Sequence, residues 1–354
     1  MSAAIDSGLG DWVRRFGDGD LIACSTLQPN LEVFETSFGR WAYRRVRGME
    51  ITLGGPLCAE EDKPELIRRF LSSARRPILF YVREALLPHL EGTGLHGVGI
   101  GVDKHADLAA LLASPERAVA SASRKARKAG VQIAPLDLEV LDAATRSKLE
   151  AINALYLKGA ECTVEMGFIN YPMSYEPDGM RRVFSLTRRE GERDDLFGYA
   201  VLNPIFDRGE VVRYLLDILR FGPTRLWGVW LSTVHALASR LHDEGFGLSL
   251  GYCPLHKPAP APLIASRSMQ AQIDWMARYL STAQYLTRLR ELKALIPGQE
   301  EQRYMASFTP LAPVALYAFM EALGVGFGTL FGPDLFRVLG RGVRARIESI
   351  RGSA

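Results

Sequence analysis

The spacing of apolar residues changes period several times along the chain, and each change marks an element. Residues 40–46 and 50–53 are two short apolar-rich runs around a tight Arg-Gly-Met turn, which predicts a β-hairpin. Asp62, with Glu65 three residues on, has the form of a capping box and opens an amphipathic stretch over 64–74, a helix ending before Pro77. Residues 77–82 (PILFYV) are apolar without interruption, as expected of a buried strand. The order hairpin, helix, strand then returns: 197–206 and 211–219 read as paired strands, 226–245 as a helix, and 246–253 as the next strand. A repeat of element order predicts two similar α/β units in tandem, each with a mostly antiparallel sheet, joined near residues 130–150.

Residues 115–129 (PERAVASASRKARKA) predict a helix stopped by Gly130. Helical spacing gathers Arg117, Arg124 and Lys128 on one face, with Lys125 and Arg127 flanking and Val119, Ala122, Ala126 and Ala129 opposite. Such a face is either a solvated surface or a phosphate-binding one. The apolar stretch over 310–332 has the length of a membrane span, but Glu321, Pro313 and three glycines interrupt it. It reads as a buried helix followed by a loop, or as a helix lying on a membrane or a partner.

Composition narrows the classes. With 354 residues, 47% hydrophobic and 23% charged, the chain is neither disordered nor a small disulfide scaffold. A net charge of +3 gives no whole-protein field, so a polyanion site must be a local patch. The four cysteines stand singly and the six histidines form no zincin spacing, so no metal or other cofactor is expected. Acids and glycines near the N-terminus do not suit a signal peptide, and a cytoplasmic location is the expectation.

Asp217 and Arg220 interrupt an otherwise apolar strand. Residues three apart on a strand face opposite ways, unless a bulge near Ile218 lets both reach one cavity; otherwise they are a structural ion pair or unrelated groups. The segment that follows partly fits the Arg-x-x-Gly-x-Gly/Ala loop of GNAT acetyltransferases: Arg225 and Gly228 fit, while Trp230 stands where a small residue belongs and would obstruct a coenzyme A pyrophosphate. Glu165 sits in a loop with Tyr171 and Tyr175, either lining a pocket or solvated. Asn203-Pro204 and the segment from Cys253 to Pro258 read as turns, and nothing in the sequence orients His256 as a base.

Taken together, WAYRRVRGMEITLGGPL, LFYV, SRKARKAG, VEMGF, the strand ending Asp217-Ile218-Leu219-Arg220, GFGLSLGYCPL and LRELKALIPGQEEQRYMA resemble the C-terminal catalytic domain of the phosphatidylglycerol lysyltransferase (lysylphosphatidylglycerol synthase) family. The resemblance implies an α/β (α+β) fold of tandem GNAT-like acyltransferase units, at 1–140 and 141–309, with an apolar and basic tail over 310–354. It implies transfer of an aminoacyl group from aminoacyl-tRNA to a lipid hydroxyl such as that of phosphatidylglycerol. Asp217, Arg220 and Glu165 match its catalytic positions, and Lys125 a basic position in the helix with Arg117, Arg124, Arg127 and Lys128, expected to bind tRNA. Lys293, Arg303 and Tyr304 match substrate-binding positions, although Leu295 and Glu300 replace a usual Lys and Trp. The family's multispan flippase domain has no counterpart here, so a free-standing catalytic portion is expected, with either an anionic phospholipid or a small metabolite as acceptor. A coenzyme A dependent acyltransferase of the same fold is the other class. A lipid acceptor would make the enzyme peripheral at the inner face of the membrane, reached through the tail with Arg337, Arg341, Arg344, Arg346 and Arg351.

Overall fold

The computed structural model describes residues 7–159, 167–190, 193–222, 224, 226, 228–279, 289–309, 318 and 320–324. After helix α1 (Ser7–Phe16) and strand β1 (Glu32–Glu35), β2 (Gly39–Val46) and β3 (Met49–Leu53) form the expected hairpin, turned by Arg47 and Gly48, both at positive φ. A short β4 (Leu57–Cys58) pairs back on β2 before α2 (Lys63–Ser73), and β5 (Pro77–Arg83) then runs parallel to β3. The capping box is not made. Asp62 ends a one-turn 3-10 segment in helical conformation without a side-chain cap, and Glu65 pairs instead with Arg68 and Arg69 at 2.7 Å. Pro64 in the first turn supplies the preset φ that starts the helix.

The middle of the chain gives β6 (His96–Ala106), α3 (Leu108–Ala113), α4 (Arg117–Lys128), β7 (Val131–Leu136), α5 (Ala143–Gly159) and β8 (Arg182–Glu190). The first motif's order then returns: β9 (Arg193–Asp207) and β10 (Glu210–Phe221) pair antiparallel, α6 (Val229–Asp243) crosses over, and β11 (Gly247–Pro254) runs parallel to β10. Helix α7 (Arg267–Tyr279) and β12 (Gly298–Ser307) follow.

The described strands form one 12-stranded sheet in the order β1-β2-β3-β5-β12-β6-β11-β10-β9-β8-β7, with β4 beside β2. Among the pairings between the described strands only β3–β5 and β10–β11 are parallel, and each is the helical crossover of one motif. The fold is therefore mixed α/β with a mostly antiparallel sheet. The chain crosses between the halves of this sheet in both directions: β7, before residue 140, pairs with β8, and β12 inserts between β5 and β6.

Helices α3, α4 and α6 cover one face of the second half, with Leu111, Val119 and Leu237 against Phe184, Leu202 and Leu216; α5 covers the other with Leu149 and Ile152. In the first half, Ile67 and Phe70 of α2 pack on Trp41, Leu79 and Val82, while the opposite face buries Ile51, Phe80 and Met305 beneath Met269 and Ile273 of α7. The described part of the apolar stretch over 310–332 joins that core: Ala318, Ala322 and Leu323 are buried, Arg44 donates to the Ala322 carbonyl at 2.5 Å, and Glu321 faces outward to Arg47 at 3.0 Å. The basic tail over 325–354 lies outside the described residues. No helix among the described residues is long and apolar enough to cross a membrane.

Between the neighbouring strands β6 and β12 lies an ion pair with no exposure on either side: Arg303 Nη2 and Nε each stand 2.5 Å from Asp103 Oδ2. The Tyr81 hydroxyl donates to Asp103 Oδ1, and Arg303 Nη1 reaches Glu301 at 2.6 Å. Removing one member strands the other charge in the interior. Arg303→Ala is therefore expected to destabilise by about 3 to 5 kcal/mol. Tyr304→Phe, which removes only a 3.3 Å hydrogen bond to Glu84, is expected to cost about 1 kcal/mol or less. Urea unfolding of the two variants checks the contrast.

Candidate active site

The parallel pair β10–β11 is short. Arg213, Tyr214 and Leu215 pair with Gly247, Leu248 and Ser249, after which β10 continues on β9 and β11 on β6, and the two strands part. Each carries an irregularity at the parting. The register of β10 on β9 slips between Leu216 and Ile218, and that of β11 on β6 between Ser249 and Gly251, where Gly251 takes φ +75°. A cavity of about 230 Å³ fills the opening, lined by Leu215 to Asp217 on one side and Leu250 to Tyr252 on the other. Ile22, Tyr81, Tyr156, Ile169, Asn170, Trp230 and Lys293 complete much of its wall.

Asp217 is the extra residue of the β10 bulge. Before it, Leu215 faces the core of the first half and Leu216 faces α6; after it, Ile218 packs with α5 and Leu219 on the α6 side. Alternation restarts one residue late, so Asp217 and Arg220, three apart, share a face. The Asp217 carboxylate is held by one oxygen. Oδ2 accepts from the Tyr171 amide at 3.0 Å and from Asn203 Nδ2 at 2.9 Å, whereas Oδ1 accepts no hydrogen bond from the described residues, and Asp217 lines the cavity. Burial raises this acid to about 7, against the two hydrogen bonds and the charges of Arg181 and Arg220, which pull it down. Arg220 is 5% exposed and its guanidinium stands 5.6 Å over the ring of Tyr156, which lines the cavity.

Strand β5 uses the same device. Its register on β12 slips at Tyr81, which takes φ +64°, so that Phe80 and Tyr81 both face the first core and the Tyr81 ring borders the cavity. Asp103 fixes its hydroxyl from behind, and the Tyr252 ring lies 5.1 Å away with its own hydroxyl donating to the Ile100 carbonyl at 2.6 Å. Lys293, 5% exposed, donates to the Tyr252 carbonyl at 2.9 Å, and burial lowers its pKa. It also lines a neighbouring cavity of about 110 Å³ with Lys104, His256 and Glu300. Among the described residues no group of three or more His, Cys, Asp or Glu could hold a metal ion.

The structure therefore brings Asp217 and Lys293 to one cavity, with Arg220 behind its wall. It places the other expected residues elsewhere. Arg303, expected to bind substrate, has no exposed surface and holds Asp103; Tyr304 is buried in the core under α2, with its hydroxyl on Glu84. Glu165 and Arg225 lie outside the described residues, although the segment just after Glu165 supplies Ile169 and Asn170 to the cavity. Arg117, Arg124, Lys125, Arg127 and Lys128 are all exposed on α4, whose Val119, Ala122 and Ala126 pack on α6. Gly228 owes its identity to that contact. It takes φ +79°, and a Cβ there would stand 2.6 Å from Ala122 Cβ.

Three site residues were missed by sequence reasoning. Asn203, read as a turn, lies fully buried inside β9 and holds Asp217; an amide between apolar strand positions was the available signal. Tyr81 and Tyr252 sit within apolar runs and carry no signal of their own. His256 stands 3.6 Å from Glu300, bordering the smaller cavity.

The site is thus a mostly antiparallel sheet that opens between two parallel strands, with a carboxylate at the opening. The chain belongs to the family described as phosphatidylglycerol lysyltransferase, C-terminal, which it matches over residues 13–307, and it is an aminoacyltransferase. Its fold is similar to the C-terminal domain of a lysylphosphatidylglycerol synthetase from Agrobacterium fabrum, at 19% identity and a TM-score of 0.69 over 89% of this chain and 96% of that one. It is also similar to L-PGS from Bacillus licheniformis (14% identity, TM-score 0.71, 90% and 97% covered) and to FemX (11%, 0.51, 91% and 99%). No curated protein matches the sequence.

Because folding raises the Asp217 pKa, the folded chain binds this proton more tightly than the unfolded chain. The group's contribution is intact below pH 4 and falls as pH rises to about 7, by up to about 4 kcal/mol. Asp217→Asn, which does not titrate, is therefore expected to gain stability relative to the parent at pH 8 and to lose that advantage at pH 5. Thermal unfolding at the two pH values checks the sign.

Proposed function

We propose that this protein moves an aminoacyl group from the 3′ end of a tRNA to a hydroxyl of an anionic lipid such as phosphatidylglycerol. The observation that carries the reading is Asp217, pinned through Oδ2 and open through Oδ1 at the parting of β10 and β11. An aminoacyl ester is already activated, so the protein has to hold it beside the acceptor, remove one proton and stabilise the developing oxyanion. Oδ1 of Asp217 suits either the donor's ammonium or the proton of the attacking hydroxyl. As the new ester bond forms, the bond to the ribose oxygen breaks, and that oxygen leaves with the proton. Lys293 donates one hydrogen bond to Tyr252 and has further N–H groups to offer in the cavity it lines.

The exposed cations of α4 suit an RNA backbone. Coenzyme A is disfavoured as donor, because the Trp230 indole occupies the cavity wall where a small residue would admit a pyrophosphate. The family supports phosphatidylglycerol as acceptor, and the basic part of the tail over 310–354, with Arg337, Arg341, Arg344, Arg346 and Arg351, is proposed to reach the membrane surface.

The test is transfer of label from a mixture of charged tRNAs to either lipid vesicles or a pool of small metabolites. Label in the anionic lipid supports the proposal, label in a metabolite replaces the acceptor, and label taken only from acetyl-CoA rejects the donor. Asp217→Asn is expected to lower transfer about a hundredfold or more. Replacing Arg124, Lys125, Arg127 and Lys128 with Ala is expected to weaken tRNA binding and flatten its salt dependence by about 0.7 to 0.9 log units per lost phosphate contact. An unchanged salt slope would return α4 to a merely solvated surface.

A further inference from the structure

Asp178 and Arg181, in the loop before β8, form an ion pair whose side chains are only 8% and 3% exposed. Burying two charges in a loop contributes little to stability once desolvation is counted, so the pair calls for another reason. Its bonds all hold one short segment. Asp178 Oδ1 accepts from the amides of Met180 at 2.9 Å and Arg181 at 2.8 Å, while Oδ2 takes Arg181 Nε. The guanidinium then donates through Nη1 to the Pro172 carbonyl at 3.0 Å and stacks 4.1 Å over the Tyr171 ring. The Tyr171 amide is the group that donates to Asp217 Oδ2 at 3.0 Å.

We propose that Asp178 and Arg181 are positioning residues for Asp217, clamping Tyr171 and Pro172 so that the Tyr171 amide pins Oδ2 and leaves Oδ1 turned to the substrate. The proposal rests on the reading of Asp217 as the reacting carboxylate. The clamp has an electrostatic side as well. Burial raises the Asp217 pKa, and Arg181 opposes this ahead of Arg220; the Asp178 carboxylate paired with Arg181 is expected to offset part of that cation's charge. The remaining groups near the site bring little compensation: Cys24 is a buried thiol pushed up to about 12 and so neutral, and Lys293 stands at the cavity wall with its pKa lowered by burial. Arg181 is thus a cation that both orders the loop and favours the ionised carboxylate.

The experiment is a carboxyl 13C NMR titration of the full chain, in which the Asp217 resonance is the one missing from Asp217→Asn, run beside the transfer assay. In Arg181→Gln the Asp217 midpoint is expected to rise by about one unit, the low end of the effect of a nearby opposite charge, and turnover to fall at least about tenfold. Arg181→Lys keeps the charge without the fork or the stack, so its midpoint is expected near the parent's while turnover stays reduced. Amide exchange at Tyr171 is expected to quicken in both variants while core amides such as that of Leu202 do not, which separates positioning from a general loss of stability. An unchanged midpoint together with unchanged Tyr171 exchange in Arg181→Gln overturns the proposal. If that variant does not fold, Asp178→Asn decides: a lowered midpoint and quickened Tyr171 exchange support the clamp, and no change in either overturns it. Normal transfer by Asp217→Asn would instead defeat the reading of the site while leaving the NMR result standing.

Discussion

The site depends on one extra residue in one strand. With strict alternation through residues 215–221, β10 would send Arg220 toward α6 and Asp217 toward α5, and no single cavity would hold both effects. The bulge at Asp217 resets the alternation at the point where β10 loses β11 as a neighbour, so the same local event frees the strand edge and aims the carboxylate into the gap. The carboxylate that the bulge turns out is met by two donors, the Tyr171 backbone amide from a loop and the Asn203 side-chain amide from the adjacent strand. Both serve the same carboxylate oxygen. That asymmetry supports the proposed role, because a carboxylate satisfied on both oxygens has nothing to offer a substrate.

The opposite wall is held by a different kind of constraint. Tyr81 keeps a left-handed backbone conformation, unusual for a bulky residue, and such a conformation persists only where its surroundings over-determine it. Here the hydroxyl is tied to Asp103, and Asp103 to Arg303. Arg303 belongs to β12, the last described strand in sequence, which inserts between β5 and β6 near the centre of the sheet. The cavity wall formed early in the chain is thus completed by a segment more than two hundred residues later. That non-local pairing explains why a residue that never reaches the cavity still bears on its shape.

The two hairpin, helix, strand motifs were legible because each step has a local cause: alternation, a helical period, and an apolar run beneath a crossover. The basic face of α4 was legible for the same reason, and its apolar face packs as read. What could not be read is what depends on pairing. β6 is broken by glycines and β12 begins with charged and amide residues, so neither has a pattern that declares a central strand, yet both are central because their partners supply the context. The pairing of Asp217 with Arg220 was legible only as a condition, since a bulge has no sequence signature apart from its partner's register. Arg303 and Tyr304 were placed by motif, and a motif cannot distinguish a residue that touches a substrate from one that supports a residue that does.

A carboxylate raised to about 7 by burial also bears on which donor the site prefers. Near neutral pH the empty cavity holds a mixture of protonated and ionised Asp217, and a cation at Oδ1 draws the group toward the ionised form. An aminoacyl ester carries such a cation beside its reacting carbonyl; a simple acyl thioester does not. If Asp217 takes the donor's ammonium, as one form of the proposed function has it, binding of an aminoacyl donor would be linked to loss of a proton from Asp217, and the ammonium would replace the solvation that burial removed from the carboxylate. An uncharged acyl group entering the same cavity would leave the acid protonated or force an unpaired charge to remain. On that proposed reading, the desolvation that makes Asp217 a poor structural group would give the cavity a preference for an acyl group with an ammonium beside its carbonyl, and would leave the side chain beyond that ammonium to the aromatic wall formed by Tyr81, Tyr156, Trp230 and Tyr252.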